Sequence, residues 1–286
     1  MKRKRLILYL ITVIILIFFS SDFSFKSKIN LDTNNKMLVH YIDVGQGDSI
    51  LIQVNNKNLL IDAGPKSNKN NLLSYLDSLK LSQLDYIIAT HPHEDHIGNM
   101  STIINKYNVG KFYAPKVEHT TSDFEKMIEA LINKNLKINV IKANIDSINL
   151  GEGTKVTVMS HSNKEYSNLN NYSPIIKIEY GNNSFLFTGD AEKDVEEEVL
   201  AKNTNLKSDV LKLGHHGSST STSSAFFKAI NPDLAIISLG VDNKYNHPSD
   251  KTTSLLMSNN TPFYRTDLDG TIILSSNGKE IKRIMK

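Results

Sequence analysis

Apolar residues recur along this chain in short β-branched and aromatic blocks, separated by turn residues and by stretches of helical periodicity. Leu38-Val39-His40-Tyr41-Ile42 predicts a first strand, broken by the glycine turn Val44-Gly45-Gln46-Gly47-Asp48. Ser49 to Val54 and Asn58 to Ile61 predict a hairpin across Asn55-Asn56-Lys57, which stops at Asp62-Ala63-Gly64-Pro65. A helix follows, with Leu72, Leu73, Leu76 and Leu79 on one stripe. The run Tyr86-Ile87-Ile88-Ala89 then predicts a buried strand.

The second half repeats this order. Ile175 to Tyr180 and Ser184 to Phe187 predict another hairpin, across Gly181-Asn182-Asn183, ending in Thr188-Gly189-Asp190. A helix over about 191–202 carries acidic residues in its first turns, as the helix dipole favours, and a strand over Asp209 to Leu213 follows. Elsewhere, Ser122 and Glu125 predict a capping box ahead of a helix bearing Phe124, Ile128, Leu131 and Ile132. Lys137 to Ile141, Asp146 to Leu150, Lys155 to Met159 and Leu234 to Leu239 read as strands. A helix is expected at about 225–230, and a C-terminal hairpin on the two-residue turn Asn277-Gly278. Alternating strands and helices predict a layered α/β body of two pseudo-symmetric halves.

The N-terminus departs from this pattern. Lys2, Arg3, Lys4 and Arg5 precede Leu6 to Phe19, a run apolar apart from Tyr9 and Thr12. A basic segment followed by such a run predicts a signal peptide or N-terminal membrane anchor over residues 1–24. Residues 25–36 are polar and read as a linker to one domain over 37–286. Either fate of the leader places the domain outside the cytoplasm, secreted or held on the outer face of the cytoplasmic membrane. The four leading cations account for the formal charge of +3; without them 29 basic residues face 30 acidic ones. A nucleic-acid contact through a broad basic face is therefore excluded, and any basic patch is local. Cysteine is absent, so there is no disulfide framework, and any metal takes only nitrogen and oxygen ligands.

The chemistry concentrates after the strand at 86–89, in His91-Pro92-His93-Glu94-Asp95-His96-Ile97-Gly98. Three imidazoles and two carboxylates in six positions are costly to bury unpaired, and they suit a divalent metal. On a tight loop stiffened by Pro92, His91 and His93 can face one ion while Asp95 and His96 face another, the need of a two-metal hydrolase. The matching strand of the second half delivers Gly214-His215-His216-Gly217-Ser218. Asp62 precedes His91 by 29 positions, and Asp190 precedes His215 by 25. That repeat is the argument that Asp190 and His215 share the metals of His91, His93, Asp95 and His96. His216 is the alternative ligand, or a donor that orients its neighbour.

His-x-His-x-Asp-His at 91–96, with Asp190 at the end of a later strand, resembles the metallo-β-lactamase superfamily. Val44-Gly45-Gln46-Gly47-Asp48-Ser49, His215-His216-Gly217-Ser218 and Asn246-His247-Pro248 resemble, more narrowly, the hydrolase domain of the ComEC competence-protein family. The resemblance covers roughly residues 37–284. It implies an αββα sandwich with the site at one sheet edge, two divalent ions (zinc or manganese), and Asp190 as their bridge. It makes His247 a site residue, a ligand or the group that protonates a leaving oxygen, and counts Asp95 with it among the catalytic groups. His161 lies where many members supply a third histidine, although Asn170-Asn171-Tyr172-Ser173 is the ComEC-like signature of that region. Asp62 is expected to orient the metal loop, and Asp48 to do likewise or simply to form a turn. Backbone N–H groups near Ser218 and Ser219, ahead of a helix, could receive a phosphate.

The implied activity is metal-dependent hydrolysis of a phosphodiester, DNA included. Hydrolysis of another bond (lactone, thioester, β-lactam or choline phosphoester) is the enzymatic alternative. A binding module that keeps the fold is the non-catalytic one.

Overall fold

The computed structural model describes residues 31, 33–143, 147–159, 164–202 and 205–285; the expected leader, most of the linker and His161 lie outside the described residues. Among the described residues no helix is long and apolar enough to cross a membrane.

The first sheet is built from β1 (Met37–Tyr41), β2 (Ile50–Val54), β3 (Lys57–Ile61), β4 (Gln83–Ile88), β5 (Asn108–Ala114) and β6 (Ile138–Val140), extended by β13 (Ile272–Ser276) and β14 (Ile281–Ile284). Its order is β14-β13-β1-β2-β3-β4-β5-β6. The second sheet holds β7 (Thr154–Val158), β8 (Ile176–Tyr180), β9 (Asn183–Phe187), β10 (Val210–Lys212), β11 (Leu234–Ile237) and β12 (Phe263–Arg265), in the order β12-β11-β10-β9-β8-β7. The repeat is visible in the pairing. β2 and β3 run antiparallel and β3 pairs parallel with β4; β8 and β9 run antiparallel and β9 pairs parallel with β10.

Side-chain alternation explains the layering. In β2 and β3, Ile50, Ile52, Leu59 and Ile61 face a core between the sheets, meeting Ile176, Ile178, Phe185, Phe187 and Ile236. Leu51 and Leu60 point the other way, onto helices α1 (Lys69–Ser78), α3 (Met100–Lys106) and α4 (Ser122–Asn133). On the far side, Leu186, Leu211, Ala235 and Ile237 pack against α5 (Lys193–Ala201), α6 (Ser224–Ile230) and α7 (Asp250–Ser258). The result is an αββα sandwich. Each fully buried Leu, Ile or Phe contributes about 1.5–3 kcal/mol, so three continuous clusters hold four layers without a disulfide.

Several local expectations are corrected. Thr121, not Ser122, caps α4: its Oγ1 accepts from Phe124 N at 3.4 Å and Ser122 is already helical, so there is no capping box. Residues 147–150 form no strand; Ile148 and Leu150 alternate because they fill the inter-sheet core, and the Asn149 backbone bonds the Tyr86 hydroxyl instead. The C-terminal hairpin pairs Ser276 with Ile281, a four-residue loop in which Asn277 Oδ1 accepts from Lys279 N and Glu280 N. The first hairpin closes on two residues, Asn55 and Asn56, both with positive φ, as asparagine tolerates.

Candidate metal centre

Four strand ends deliver the polar residues to one edge of the sandwich. Asp62 follows β3, His91 lies just past β4, Asp190 just past β9, and His215 and His216 just past β10. A single helical turn, α2 (Glu94–Ile97), raises Asp95 and His96. The loop is braced from beneath: Asp48 N donates to Asp95 O at 3.1 Å and Ala63 N to His96 O at 2.7 Å. At Gly47 a Cβ would meet Asp95 O at 2.3 Å, so the close approach requires glycine there.

Asp190 is the point of convergence. Its Oδ2 lies 3.2 Å from His96 Nε2, 3.6 Å from His216 Nε2, 3.7 Å from His215 Nε2 and 3.8 Å from His91 Nε2. Two donors sharing an ion at about 2.1 Å sit roughly 3–4 Å apart, which is this spacing. Asp95, His96, Asp190 and His216 place one ligand atom each within 4.8 Å of one another. His91 Nε2 and His93 Nδ1 approach to 2.9 Å, beside the 3.8 Å contact of His91 Nε2 with Asp190 Oδ2.

Hydrogen bonds at the far side of each ring aim the ligating nitrogens. His96 Nδ1–H donates to Asp62 Oδ2 at 2.8 Å, and His216 Nδ1–H donates to the Ser238 carbonyl at 2.8 Å. Thr90 Oγ1 donates to Asp62 Oδ2 at 2.7 Å and is left to accept from His91 Nδ1–H at 3.1 Å, with Ser173 Oγ 3.2 Å from the same nitrogen. Each Nε2 is thereby turned toward Asp190 Oδ2. His96 Nε2, His216 Nε2 and Asp190 Oδ1 are buried without any hydrogen-bond partner. Such orphaned polar atoms, gathered around one carboxylate, fit a small divalent cation.

In the metal-free chain burial lowers His96 and His216, but the surrounding carboxylates, Asp190 foremost, outweigh it and push both imidazoles up, His96 well above the usual range. Burial, and after it the His96 charge, hold His91 well below the usual imidazole range, in the neutral form a ligand needs. Burial pushes Asp190 up, but the imidazoles of His96 and His216 outweigh it and keep the carboxyl ionised. Asp95 is held down in the same way, burial being overcome by His96 and His216.

The expected residues take distinct places. Asp62 is wholly buried and bonds Thr90 N, Thr90 Oγ1 and His96, which leaves it orienting the loop. His216, buried, completes the Asp95–His96–Asp190 set that the sequence reading filled with His215. The cause is local: both residues adopt left-handed backbone, with φ of 49° and 53°. His216 turns inward and His215 outward, its Nδ1 facing Glu192 Oε1 at 3.3 Å. His215 keeps its Nε2 on the rim of the site. His247 stands beyond it, ring centroids 5.6 Å apart, pushed down to about 4 by burial and by the nearby His215 and His216. In the loop after His216, Thr222 N and Ser223 N are taken by Glu196, Ser218 N by His215 O, and Thr220 N by Ser218 Oγ.

Two features escaped the sequence reading. Ser173 bridges the halves, accepting from Asp190 N at 3.1 Å while facing His91. Lys212, fully buried in β10, pairs with buried Asp48 of the first half directly behind His216. A lysine inside an apolar strand was the available signal, since burial of an ammonium requires a paired anion.

A cleft of about 690 Å³ opens onto the centre, walled by Gln46, Asn170, Asn243, Lys244, Tyr245 and His247. Comparison with known proteins matches residues 42–241 to the metallo-beta-lactamase superfamily. ComE operon protein 3 of Bacillus subtilis (strain 168) is 33% identical over 252 residues, covering 82% of this chain and 32% of the relative. Competence protein ComA of Neisseria gonorrhoeae is 28% identical, covering 83% and 32%. The chain thus spans about a third of the length of these curated relatives. Among solved structures, the metallo-beta-lactamase fold protein YhfI from Bacillus subtilis superposes with a TM-score of 0.57 at 12% identity, covering 84% of this chain and all of that one, a likeness of fold.

Proposed function

The chain belongs to the metallo-β-lactamase superfamily and is related to the ComEC competence proteins, and from that premise we propose that it is an extracytoplasmic phosphodiesterase acting on nucleic acid. The observation that carries the reading is the meeting at Asp190 of donors from both halves of the fold. His91 and His93 with Asp190 would hold one divalent cation; Asp95, His96 and His216 with Asp190 would hold the other, zinc or manganese. When bound, such cations lower the pKa of water from nearly 16 toward about 7 and offset charge developing on the attacked group. The chain's own groups supply the rest. Asp62, Thr90 and Ser238 fix the rings, and Asp190 ties the halves. His247 lines the cleft wall beside His215.

The open cleft, with Lys244 and Tyr245 at its mouth, suits an extended phosphodiester better than a small enclosed substrate. The competence proteins among the relatives support nucleic acid as the source of that ester. The extracytoplasmic placement rests on Lys2 to Arg5 and the apolar run behind them. The test is metal content and turnover of bis(p-nitrophenyl) phosphate and DNA by the full chain with zinc or manganese. Two ions per chain and hydrolysis lost in His93→Ala and Asp190→Ala are expected. Metal-loaded protein that leaves both substrates intact overturns the reading.

A further inference from the structure

We propose that Tyr245 is a stacking platform for one unpaired nucleobase beside the metal centre, a subsite that deepens, and rests on, the phosphodiesterase reading of the same cleft. Tyr245 is a large aromatic with 52% of its surface exposed, at the tip of the loop between β11 and α7. The loop is not slack. Asn243 Nδ2 donates to Gly240 O at 3.1 Å and His247 O at 2.8 Å, its Oδ1 accepts from His247 N at 2.9 Å, and Asn246 N donates to Asn243 O at 3.2 Å. One side chain therefore closes both ends of the turn and holds the ring in place.

The ring continues a line of aromatics that begins at the metal ligands. His216 neighbours His215, His215 meets His247 at 5.6 Å, and His247 stacks on Tyr245 at 5.6 Å with 24° between the planes. Two ring-to-ring steps thus separate Tyr245 from His215, whose Nε2 is 3.7 Å from Asp190. Two such steps span at most about 11 Å, which is about three nucleotides at roughly 3.4 Å per phosphate along a stacked strand and fewer when it is extended. Lys244 Nζ lies 5.1 Å from the Tyr245 ring centroid, and Lys244 is the one lysine or arginine among the described residues lining the cleft. A flat hydrophobic face paired with a positive charge is what an aromatic base on a phosphate chain requires, and stacking is indifferent to which base it is. A base inside a duplex has both faces covered, so the platform favours single strands. An aliphatic or acyl substrate gains from neither feature.

The chain contains no tryptophan, so Tyr245→Trp places the sole indole at the subsite. Metal-free Tyr245→Trp protein is titrated with a dodecathymidine strand, an abasic deoxyribose-phosphate strand of equal length, and a duplex. Saturable quenching by the thymidine strand is expected, with half-saturation at least tenfold lower than for the abasic strand or the duplex. In metal-loaded protein Tyr245→Ala raises KM for the strand about five- to hundredfold, the range of one base stack, with kcat nearly unchanged and Tyr245→Phe close to the parent. Equal quenching by the abasic strand or the duplex overturns the proposal, as does DNA cleavage by a protein whose Tyr245→Ala variant keeps the parent KM. Quenching without any hydrolysis would instead sink the phosphodiesterase reading and leave the platform standing. If the tryptophan variant fails to fold, the KM-against-kcat split carries the test alone.

Discussion

Neighbouring histidines with opposite fates make the sharpest test of the metal centre. His216→Asn and His215→Asn are compared, asparagine being chosen because both positions have left-handed backbone, which it tolerates better than alanine. His216 is one of four donors, its Nε2 lying 3.4 Å from Asp95 Oδ2 and 3.6 Å from Asp190 Oδ2. A four-ligand protein zinc site binds with about 10–16 kcal/mol, so an even share is about 3 kcal/mol per donor. At about 1.4 kcal/mol per tenfold, His216→Asn weakens one of the two ions by roughly two orders of magnitude. His215 stands outside that set and is a quarter exposed, so His215→Asn shifts affinity by less than tenfold. Competition with a chromophoric chelator measures both constants, and elemental analysis counts ions per chain. If His215→Asn empties a site while His216→Asn keeps two ions, the assignment of the inward-facing ring is wrong.

Other perturbations address the shell behind the ligands. Lys212→Met strands the Asp48 carboxylate in the interior and should cost about 3–5 kcal/mol in urea unfolding, with more than half recovered in the Lys212→Met, Asp48→Asn double variant. A parent-like single variant would show that the pair is not closed in solution. Asp62→Asn removes the charged acceptor of His96 Nδ1–H, and a chelator titration should show metal binding about 10–100-fold weaker. In the metal-free chain, His247 titrates near 4 when folded and near 6.5 when unfolded, because burial and then His215 and His216 disfavour its charge. The unfolded state takes the proton first, so this share of stability is complete above pH 6.5 and is lost as pH falls toward 4. Urea midpoints across that window should fall less steeply in His247→Asn than in the parent; identical slopes would refute the shift.

Most of the strands and helices were legible because period-two and helical patterns name the buried faces of a layered α/β body, whereas the αββα order was implied by the resemblance to the metallo-β-lactamase superfamily. What misled was apolar alternation without pairing, as at Ile148 and Leu150, where burial in the core came from packing against two finished sheets. The metal cluster was legible for a different reason: five ligand-type side chains in six positions have no economical burial except around an ion. The choice between His215 and His216 was not, because a strand reading assigns no φ to the residues past its end. Two consecutive left-handed residues reverse which ring points inward. Lys212 was hidden by the opposite problem: its partner is 164 positions away, and no local pattern announces Asp48 as its counter-ion.

The repeat in the sequence located the site but could not say which member of each pair would bind metal. Asp62 and Asp190 close equivalent strands, yet their hydrogen bonds separate their roles. Asp62 spends both oxygens, Oδ1 on Thr90 N and Oδ2 on Thr90 Oγ1 and His96 Nδ1. Asp190 has the corresponding backbone brace, through Ser173, but its Oδ1 is left without a partner and its Oδ2 faces only imidazole nitrogens. A carboxylate saturated by donors has little electron density to offer a cation, whereas one surrounded by imidazole nitrogens can be balanced only by positive charge among them. Topology therefore brings equivalent groups to the same edge, and the presence or absence of a hydroxyl such as Thr90 decides which becomes the bridge. Replacing Thr90 with valine should remove one of the two donors to Asp62 Oδ2 and let His91 turn, lowering metal affinity without moving either strand. A Thr90→Val chain that retains the parent affinity in the chelator titration would mean that the ring orientation is set by packing alone.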